Sequence, residues 1–86
     1  MLAVITGASS GIGKELAYQL AERNYNLVLV ARRKDRLIEI KKELEKLGIK
    51  IEILAYDIQN LNNCERLILE LKNQKIDLFI NNAGFG

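Results

Sequence analysis

The sequence has 86 residues, of which 49% are hydrophobic and 28% charged, and this composition is typical of one soluble globular domain. A net charge of +2 is too small to indicate a nucleic acid or a membrane surface as partner. The absence of His excludes His-based catalysis, and Cys64, the single Cys, forms no metal site by itself and fits a reducing compartment such as the cytoplasm. No apolar run reaches the roughly 18 residues that a membrane span needs.

Short apolar runs alternate with helical patterns along the whole chain. Strands are predicted at residues 2–5, 27–31, 50–55 and 76–80. Helices are predicted at residues 11–23, between residue 35 and a C-cap at Gly48, and after residue 63. This β-α-β-α-β-α-β order predicts an α/β fold with a Rossmann-like parallel sheet. Right-handed crossovers place the strands in the order 3-2-1-4, with the first two helices on one face and the third on the other.

Each predicted helix carries one apolar stripe that we expect to face the sheet. The stripe residues are Ile12, Leu16, Ala17, Leu20 and Ala21 in the first helix, Leu37, Ile40, Leu44 and Leu47 in the second, and Cys64, Leu67, Ile68 and Leu71 in the third. The fourth strand is apolar and has no predicted neighbour on its outer side. Because apolar edges invite pairing with another chain, we expect self-association or pairing with a missing second half of the sheet.

The glycine-rich stretch Thr6–Gly13, which reads TGASSGIG, joins the first strand to the first helix. A strand that turns through glycines into a helix presents backbone N–H groups at a positive helix end, and such a site binds anions, most often phosphate. Gly7 permits the sharp turn, Gly11 leaves room for a pyrophosphate, and Gly13 lets the helix approach the sheet closely. The spacing is neither GxGxxG nor a Walker A loop. The alternative is a small-residue turn without a ligand.

Two motifs together resemble the short-chain dehydrogenase/reductase family. Thr6–Gly13 is similar to its TGxxxGxG motif, and Asn81-Asn82-Ala83-Gly84 to its NNAG motif, while Asp57 stands where the family keeps an Asp after the third strand. The resemblance covers the whole chain. It implies hydride transfer between NAD or NADP and a carbonyl or alcohol carbon, with residues 1–86 as the N-terminal nucleotide-binding half of a Rossmann domain.

The same resemblance implies that the catalytic residues of the family lie beyond this chain. The family uses a Ser and a Tyr-x-x-x-Lys pair downstream of the NNAG motif. Tyr18, Tyr25 and Tyr56 are followed four positions later by Glu, Leu and Asn, so none forms such a pair. We therefore expect no catalytic residue in this chain and no activity from the chain alone.

The resemblance also assigns cofactor contacts to individual residues. The pyrophosphate would lie on a loop formed by Gly7, Ser9, Gly11, Ile12 and Gly13. Asp57 would accept a hydrogen bond from the adenine amino group, with Ile58 against the ring. Asn81, Ala83 and Gly84 would line the adenosine and ribose. For Asn81 and Asn82 a structural role, in which they tie the fourth strand to its neighbours, is an equal alternative.

The end of the second strand favours NADP over NAD. A NAD site carries an Asp or Glu about 20 residues after the glycines, and no acid occurs between Leu27 and Lys34. Arg32 is the candidate to bind the 2′-phosphate, with Arg33 and Ser10 as candidates to assist. The alternative is a solvated charge run, and we accept that interpretation for Lys34 and Arg36.

Three hypotheses remain at this point. The favoured one is the NADP-binding part of a short-chain dehydrogenase/reductase. The others are a non-catalytic nucleotide-binding module and an interaction protein that uses the open edge of the fourth strand. The glycine loop does not separate the first two, because both require it.

Overall fold

The computed structural model of the chain describes residues 1–9, 11–58 and 60–82. The strands are β1 (Leu2–Thr6), β2 (Asn26–Val30), β3 (Ile51–Leu54) and β4 (Leu78–Asn81). The helices are α1 (Gly11–Glu22), α2 (Lys34–Leu44), which a 3-10 turn at Glu45–Leu47 continues, and α3 (Leu61–Leu71). The four strands form one parallel sheet in the order β3-β2-β1-β4, which confirms the predicted Rossmann-like topology.

The register of the sheet brings the carboxyl ends of the strands to a common edge. β1 is central, and Thr6 at its end lies opposite Val30 of β2 and Asn81 of β4. Val30 in turn lies opposite Leu54 at the end of β3. The carboxyl ends of the four strands therefore meet at one edge of the sheet, which is where ligands bind in open α/β sheets.

The core has two layers, one on each face of the sheet. Ala17, Leu20 and Ala21 of α1 pack with Leu37, Ile40 and Leu44 of α2 on one face. Leu67 and Leu71 of α3 pack with Val4, Val28 and Val30 on the other. Because both faces of the two central strands are covered, β1 and β2 are buried at every position after their first residue and show no polar/apolar alternation. This arrangement confirms the predicted distribution of the helices.

Three residues of the predicted apolar stripes lie on the surface instead. Ile12, Ile68 and Leu47 are 70%, 68% and 48% exposed. At the start of α1 the sheet is faced by Gly13 rather than Ile12. α3 contacts the core through Leu67 and Leu71, one turn apart, so that the contact is too narrow to include Ile68. Leu47 lies beyond α2, in the 3-10 turn, where the helical spacing no longer holds.

The start of α3 also differs from the prediction, which placed residues 58–63 in a turn. The helix begins at Leu61 because Asn60 is its N-cap, with the Asn60 side chain accepting a hydrogen bond from the Asn62 N–H at 2.9 Å. At the end of the second helical segment, Gly48 adopts a left-handed φ of 82°, as the predicted C-cap requires.

β4 is the edge strand next to β1, and its apolar side chains are only partly covered. Leu78 and Phe79 are 36% and 49% exposed. Within the described ranges, no helix combines the length and the apolar character needed to cross a bilayer.

Candidate cofactor site

The turn from β1 into α1 is built on two glycines in the left-handed conformation. The φ angles of Gly7 and Gly11 are 66° and 58°, values that residues with a Cβ rarely adopt. Between them, the N–H of Ala8 donates to the carbonyl of Val30 at 3.2 Å and fastens the turn to the end of β2. A Cβ on Gly11 would meet nothing within 4 Å, so the backbone there is open to an approaching group.

Gly13 is required for a different reason, which is close packing. A Cβ on Gly13 would lie 2.2 Å from the carbonyl oxygen of Gly7 and 2.8 Å from Nδ2 of Asn82. The first turn of α1 therefore rests directly on the backbone of the turn that precedes it. This contact confirms the close approach that the glycine spacing predicted.

The first turn of α1 provides the groups that an anion would need. The first four N–H groups of an α-helix have no partner within the helix, and the helix dipole makes this end positive. No acidic side chain lies in this turn, and Lys14 adds a positive charge. The side chain of Ile12 is exposed and does not pack in the core. The backbone N–H of Ile12 belongs to the same group of donors.

Asn81 and Asn82 connect the end of β4 to the glycine turn. The buried hydroxyl of Thr6 donates to Oδ1 of Asn81 at 2.7 Å and accepts from the N–H of Asn82 at 3.0 Å. Nδ2 of Asn82 donates to the carbonyl of Gly7 at 3.3 Å. Both asparagines therefore tie the end of β4 to β1 where the strand order reverses, which is the structural role predicted for them, and these bonds do not test the predicted contact of Asn81 with the cofactor.

Arg32 and Arg33 follow β2 on the exposed surface at the start of α2. Nε of Arg33 lies 3.6 Å from Oδ1 of Asp35, with both side chains largely exposed. No described carboxylate lies within ion-pair distance of Arg32. An exposed ion pair contributes about 0–1 kcal/mol, so Asp35 holds Arg33 only weakly. The Ala31 N–H donates to the carbonyl of Leu54 at 3.2 Å and aligns this segment with the end of β3.

Asp57 and Ile58 are half-buried in the segment between β3 and α3. Ile58 packs against the core layer on the α3 side. The carbonyl of Asp57 accepts hydrogen bonds from the Asn60 N–H at 3.1 Å and from Nδ2 of Asn63 at 3.0 Å. The structure thus places these two residues at the same edge of the sheet as the glycine turn and Arg32, two strands away from the turn.

A cleft of about 310 Å³ opens between α1 and α2 beside the glycine turn. Its lining consists of Ser9, Gly11, Lys14, Tyr18, Arg36, Glu39, Ile40 and Glu43. Of the predicted cofactor contacts, Ser9 and Gly11 line this cleft, and Arg32 and Asp57 do not. Sequence reasoning did not select Lys14, and it assigned Arg36 to a solvated run. The helical spacing of Arg36 from Ile40, a core residue of α2, was the available signal that Arg36 faces α1.

Two tyrosines are tied to carboxylates. The hydroxyl of Tyr18 donates to Glu43 at 2.5 Å across the cleft, and burial, followed by this bond, raises the pKa of Tyr18 to about 12. The hydroxyl of Tyr56 donates to Glu70, and this hydrogen bond raises the pKa of Tyr56. Both phenols hold their protons more tightly than usual, which makes them poor acid/base groups near neutral pH.

Among the predicted contacts, Ser10, Ala83 and Gly84 lie outside the described residues.

Sequence comparison relates the chain to known dehydrogenases. Residues 1–86 match the family model for short chain dehydrogenase. The chain is 49% identical to an 11-beta-hydroxysteroid dehydrogenase from Pinus massoniana over 86 residues, which cover 96% of this chain and 24% of that protein. The chain thus spans about a quarter of the length of this relative.

Solved structures agree with the sequence match. The bulky-bulky ketone specific alcohol dehydrogenase from Comamonas testosteroni superposes with a TM-score of 0.91 at 38% identity, covering 99% of this chain and 36% of that one. A short-chain dehydrogenase from Sphingobium yanoikuyae in complex with NADPH superposes with a TM-score of 0.90 at 39% identity, covering 96% of this chain and 33% of that one. The chain belongs to the short-chain dehydrogenase family.

Proposed function

We propose that the chain is the NADP-binding part of a short-chain dehydrogenase/reductase, an enzyme that moves a hydride between NADP(H) and a carbonyl or alcohol carbon. The observation that carries the proposal is the glycine turn at the carboxyl edge of the sheet. Gly7 and Gly11 turn the backbone through left-handed conformations, and the N–H groups of the first turn of α1 follow directly. Pyrophosphates bind at this place in doubly wound folds.

The residues present fit the diphosphate of a dinucleotide. A Cβ on Gly11 would meet nothing within 4 Å, so a phosphate oxygen can approach the backbone there. Gly7, Ser9, Ile12 and Gly13 complete the loop in this proposal. Asp57 and Ile58 provide the adenine end, and Asn81, Ala83 and Gly84 the ribose side. Ala83 and Gly84 enter the proposal from the resemblance alone, and Ser10 enters it from the sequence argument for the 2′-phosphate.

Arg32 distinguishes NADP from NAD in this proposal. It is exposed at the carboxyl edge, beside the hydrogen bond that joins Ala31 to β3, and no described carboxylate neutralises it. A guanidinium can bind the 2′-phosphate through two parallel hydrogen bonds, while an acid, which would bind the 2′-OH of NAD, is absent from the stretch. Arg33 and Ser10 assist. NADPH in the Sphingobium yanoikuyae relative supports this choice of cofactor.

The residues of this chain have a binding role in the proposed reaction. A bound NADP(H) would supply the hydride donor or acceptor of the reaction. The residues of this chain bind the diphosphate, the adenine and the 2′-phosphate, and thereby orient the cofactor. The resemblance assigns proton transfer to a Tyr-x-x-x-Lys pair, and no tyrosine here stands four positions before a lysine, so this proposal gives these residues no role in that step. Residues 1–86 are accordingly the nucleotide-binding half of the domain in this proposal.

Calorimetric titration with NADP and NAD tests the proposal. The unaltered chain is expected to bind NADP more tightly than NAD. Arg32→Ala is expected to weaken NADP binding by about 10- to 100-fold, since a charged hydrogen bond contributes about 1.5–3 kcal/mol, and to leave NAD binding unchanged. Arg23→Ala is the matched control, because it removes the same charge from an exposed residue just beyond the other end of α1.

Two results would contradict the proposal. If a folded sample bound neither dinucleotide, the glycine turn would not be a cofactor site in this chain. If Arg32→Ala and Arg23→Ala weakened NADP binding equally, the effect would come from net charge, and the assignment of the 2′-phosphate to Arg32 would be wrong.

A further inference from the structure

The backbone of the segment after β3 is held by side chains from α3. Nδ2 of Asn63 donates to the carbonyl of Asp57 at 3.0 Å, and Sγ of Cys64 donates to the carbonyl of Ile58. Two consecutive residues of one helical turn thus bind two consecutive carbonyls of the neighbouring segment. Nothing in the sequence pattern indicates this arrangement, because Asn63 is an ordinary residue near the start of a helix and Cys64 lies on its apolar stripe.

The helix that carries these donors is firmly placed. Leu67 and Leu71 of α3 are buried in the core layer with Val4 and Val28 of the sheet. At its first turn, the N-cap side chain of Asn60 accepts the Asn62 N–H, and the backbone N–H of Asn60 donates to the Asp57 carbonyl. The donors at Asn63 and Cys64 therefore have little freedom to move away from the carbonyls that they bind.

A third contact from α3 holds the residue before this segment. The hydroxyl of Tyr56 donates to Glu70, and the guanidinium carbon of Arg66 lies 4.7 Å from the centre of the Tyr56 ring. The chain is thus fixed to α3 immediately before Asp57 as well as at its carbonyl and at that of Ile58. The segment is thus held through the side chain of Tyr56 and through the backbone carbonyls of Asp57 and Ile58.

We propose that Asn63 and Cys64 are positioning residues for the adenine end of the cofactor site, an inference that rests on the proposed function. By binding the carbonyls of Asp57 and Ile58, they hold these two residues where one accepts the adenine amino group and the other covers the ring. In this proposal Asn63 and Cys64 act through Asp57 and Ile58 and not by contact with the cofactor. Their contribution is the preorganisation of the pocket, which reduces the cost of ordering the segment when the cofactor binds.

The test measures NADP and NAD affinities of Asn63→Ala and Cys64→Ala by calorimetry. Each variant loses one hydrogen bond, and we expect both affinities to fall by about 2- to 10-fold. The ratio of the NADP affinity to the NAD affinity is expected to stay constant, since adenine is common to the two. Arg32→Ala changes that ratio, so the measurement separates the two ends of the site. Cys64→Ser, whose hydroxyl can still donate, is expected to restore binding.

Asn62→Ala is the matched control, because Asn62 is the neighbouring exposed asparagine and its side chain binds neither carbonyl. Hydrogen exchange of the Asn60 amide, which donates to the Asp57 carbonyl, gives a readout that needs no cofactor. Asn63→Ala and Cys64→Ala are expected to accelerate it. A merely structural role would lower the melting temperature and leave the affinity of the folded protein unchanged.

The outcomes separate this inference from the proposed function. If the unaltered chain binds NADP and both alanine variants bind it equally well, the positioning role is refuted and the cofactor site stands. If the alanine variants change the ratio of NADP to NAD affinity, their effect is not confined to adenine, and the inference is again refuted. If the unaltered chain binds neither dinucleotide, the proposed function fails and the inference fails with it.

Discussion

Gly13→Ala tests the contact on which the glycine turn is built. The new Cβ would lie 2.2 Å from the carbonyl oxygen of Gly7, whereas ordinary contact begins at 3.4 Å. The shortfall is about 1 Å, and it cannot be relieved by rotating a side chain, because the opposing atom belongs to the backbone. The first turn of α1 must therefore move away from the sheet, and with it the N–H groups of the proposed phosphate site.

The expected loss of stability can be estimated from the contacts. Overpacking in a close-packed region costs about 1–3 kcal/mol. The new Cβ would also lie 2.8 Å from Nδ2 of Asn82 and so weaken the bond from that atom to the Gly7 carbonyl, worth about 1 kcal/mol. The better helix propensity of Ala returns about 1 kcal/mol. The net loss is about 1–3 kcal/mol, and at about 4–8 °C per kcal/mol for a domain of this size it lowers the melting temperature clearly.

Thermal denaturation followed by circular dichroism measures this loss, with two glycine variants as controls. Gly11→Ala and Gly48→Ala introduce a Cβ into open space at φ angles of 58° and 82°, so they carry only backbone strain of about 1–2 kcal/mol. Gly11→Asn should be tolerated better than Gly11→Ala, since Asn adopts the left-handed conformation more readily. The clash argument is refuted if Gly13→Ala melts at the temperature of the unaltered chain.

Three further predictions concern other parts of the molecule. Thr6→Val removes the buried hydroxyl that joins Asn81 to β1, so we expect chemical denaturation to show a loss of about 1–3 kcal/mol; an unchanged midpoint would contradict this. Tyr18→Phe removes the bond to Glu43 and should destabilise by about 0.5–1 kcal/mol. The pKa of Tyr18 is raised from 10.0 to about 12, so the stability difference between the unaltered chain and Tyr18→Phe should be full below pH 10 and shrink as the pH rises from 10 to 12. If the two melting temperatures differ by the same amount from pH 8 to 12, this prediction is refuted. Phe79→Lys, on the half-exposed edge strand, should reduce the self-association that light scattering is expected to detect, and a monodisperse unaltered chain would disprove the premise.

The sequence predicted the parts of the site that local backbone geometry controls. Gly7 was recognisable because a sharp turn from strand to helix needs left-handed backbone, which it has. Gly11, which was expected only to leave room for a pyrophosphate, is left-handed as well. The run without acids around Arg32 could likewise be read directly. Ile12 shows the limit of this reasoning, since its spacing suited a core residue and it lies on the surface. Gly13 lies so close to the Gly7 carbonyl that the side chain of Ile12 has no room between α1 and the sheet.

Some partners could not be predicted because they are far apart in the chain. Thr6 binds Asn81 and Asn82 across about 75 residues, and the NNAG motif alone left their structural role undecided. Arg36 was assigned to the solvent and is exposed, but it also lines the cleft with Ser9 because α2 packs alongside α1. A helical period gives the face on which a residue lies, but not which element that face will meet.

The sequence by itself determined the order of the elements, the strand topology and the position of the glycine turn, because each depends on a local signal: apolar periodicity, handed crossovers, and backbone angles that glycine alone tolerates. The tertiary structure decided which atoms complete the site. Three sets of contacts arise only when the helices pack on the sheet. They are the contact of Gly13 with Gly7, the hydrogen bonds from the asparagines to β1 and the turn after it, and the hydrogen bonds from Asn63 and Cys64 to the segment after β3. These contacts join residues through space, and the distance between two packed elements is set by all the side chains between them.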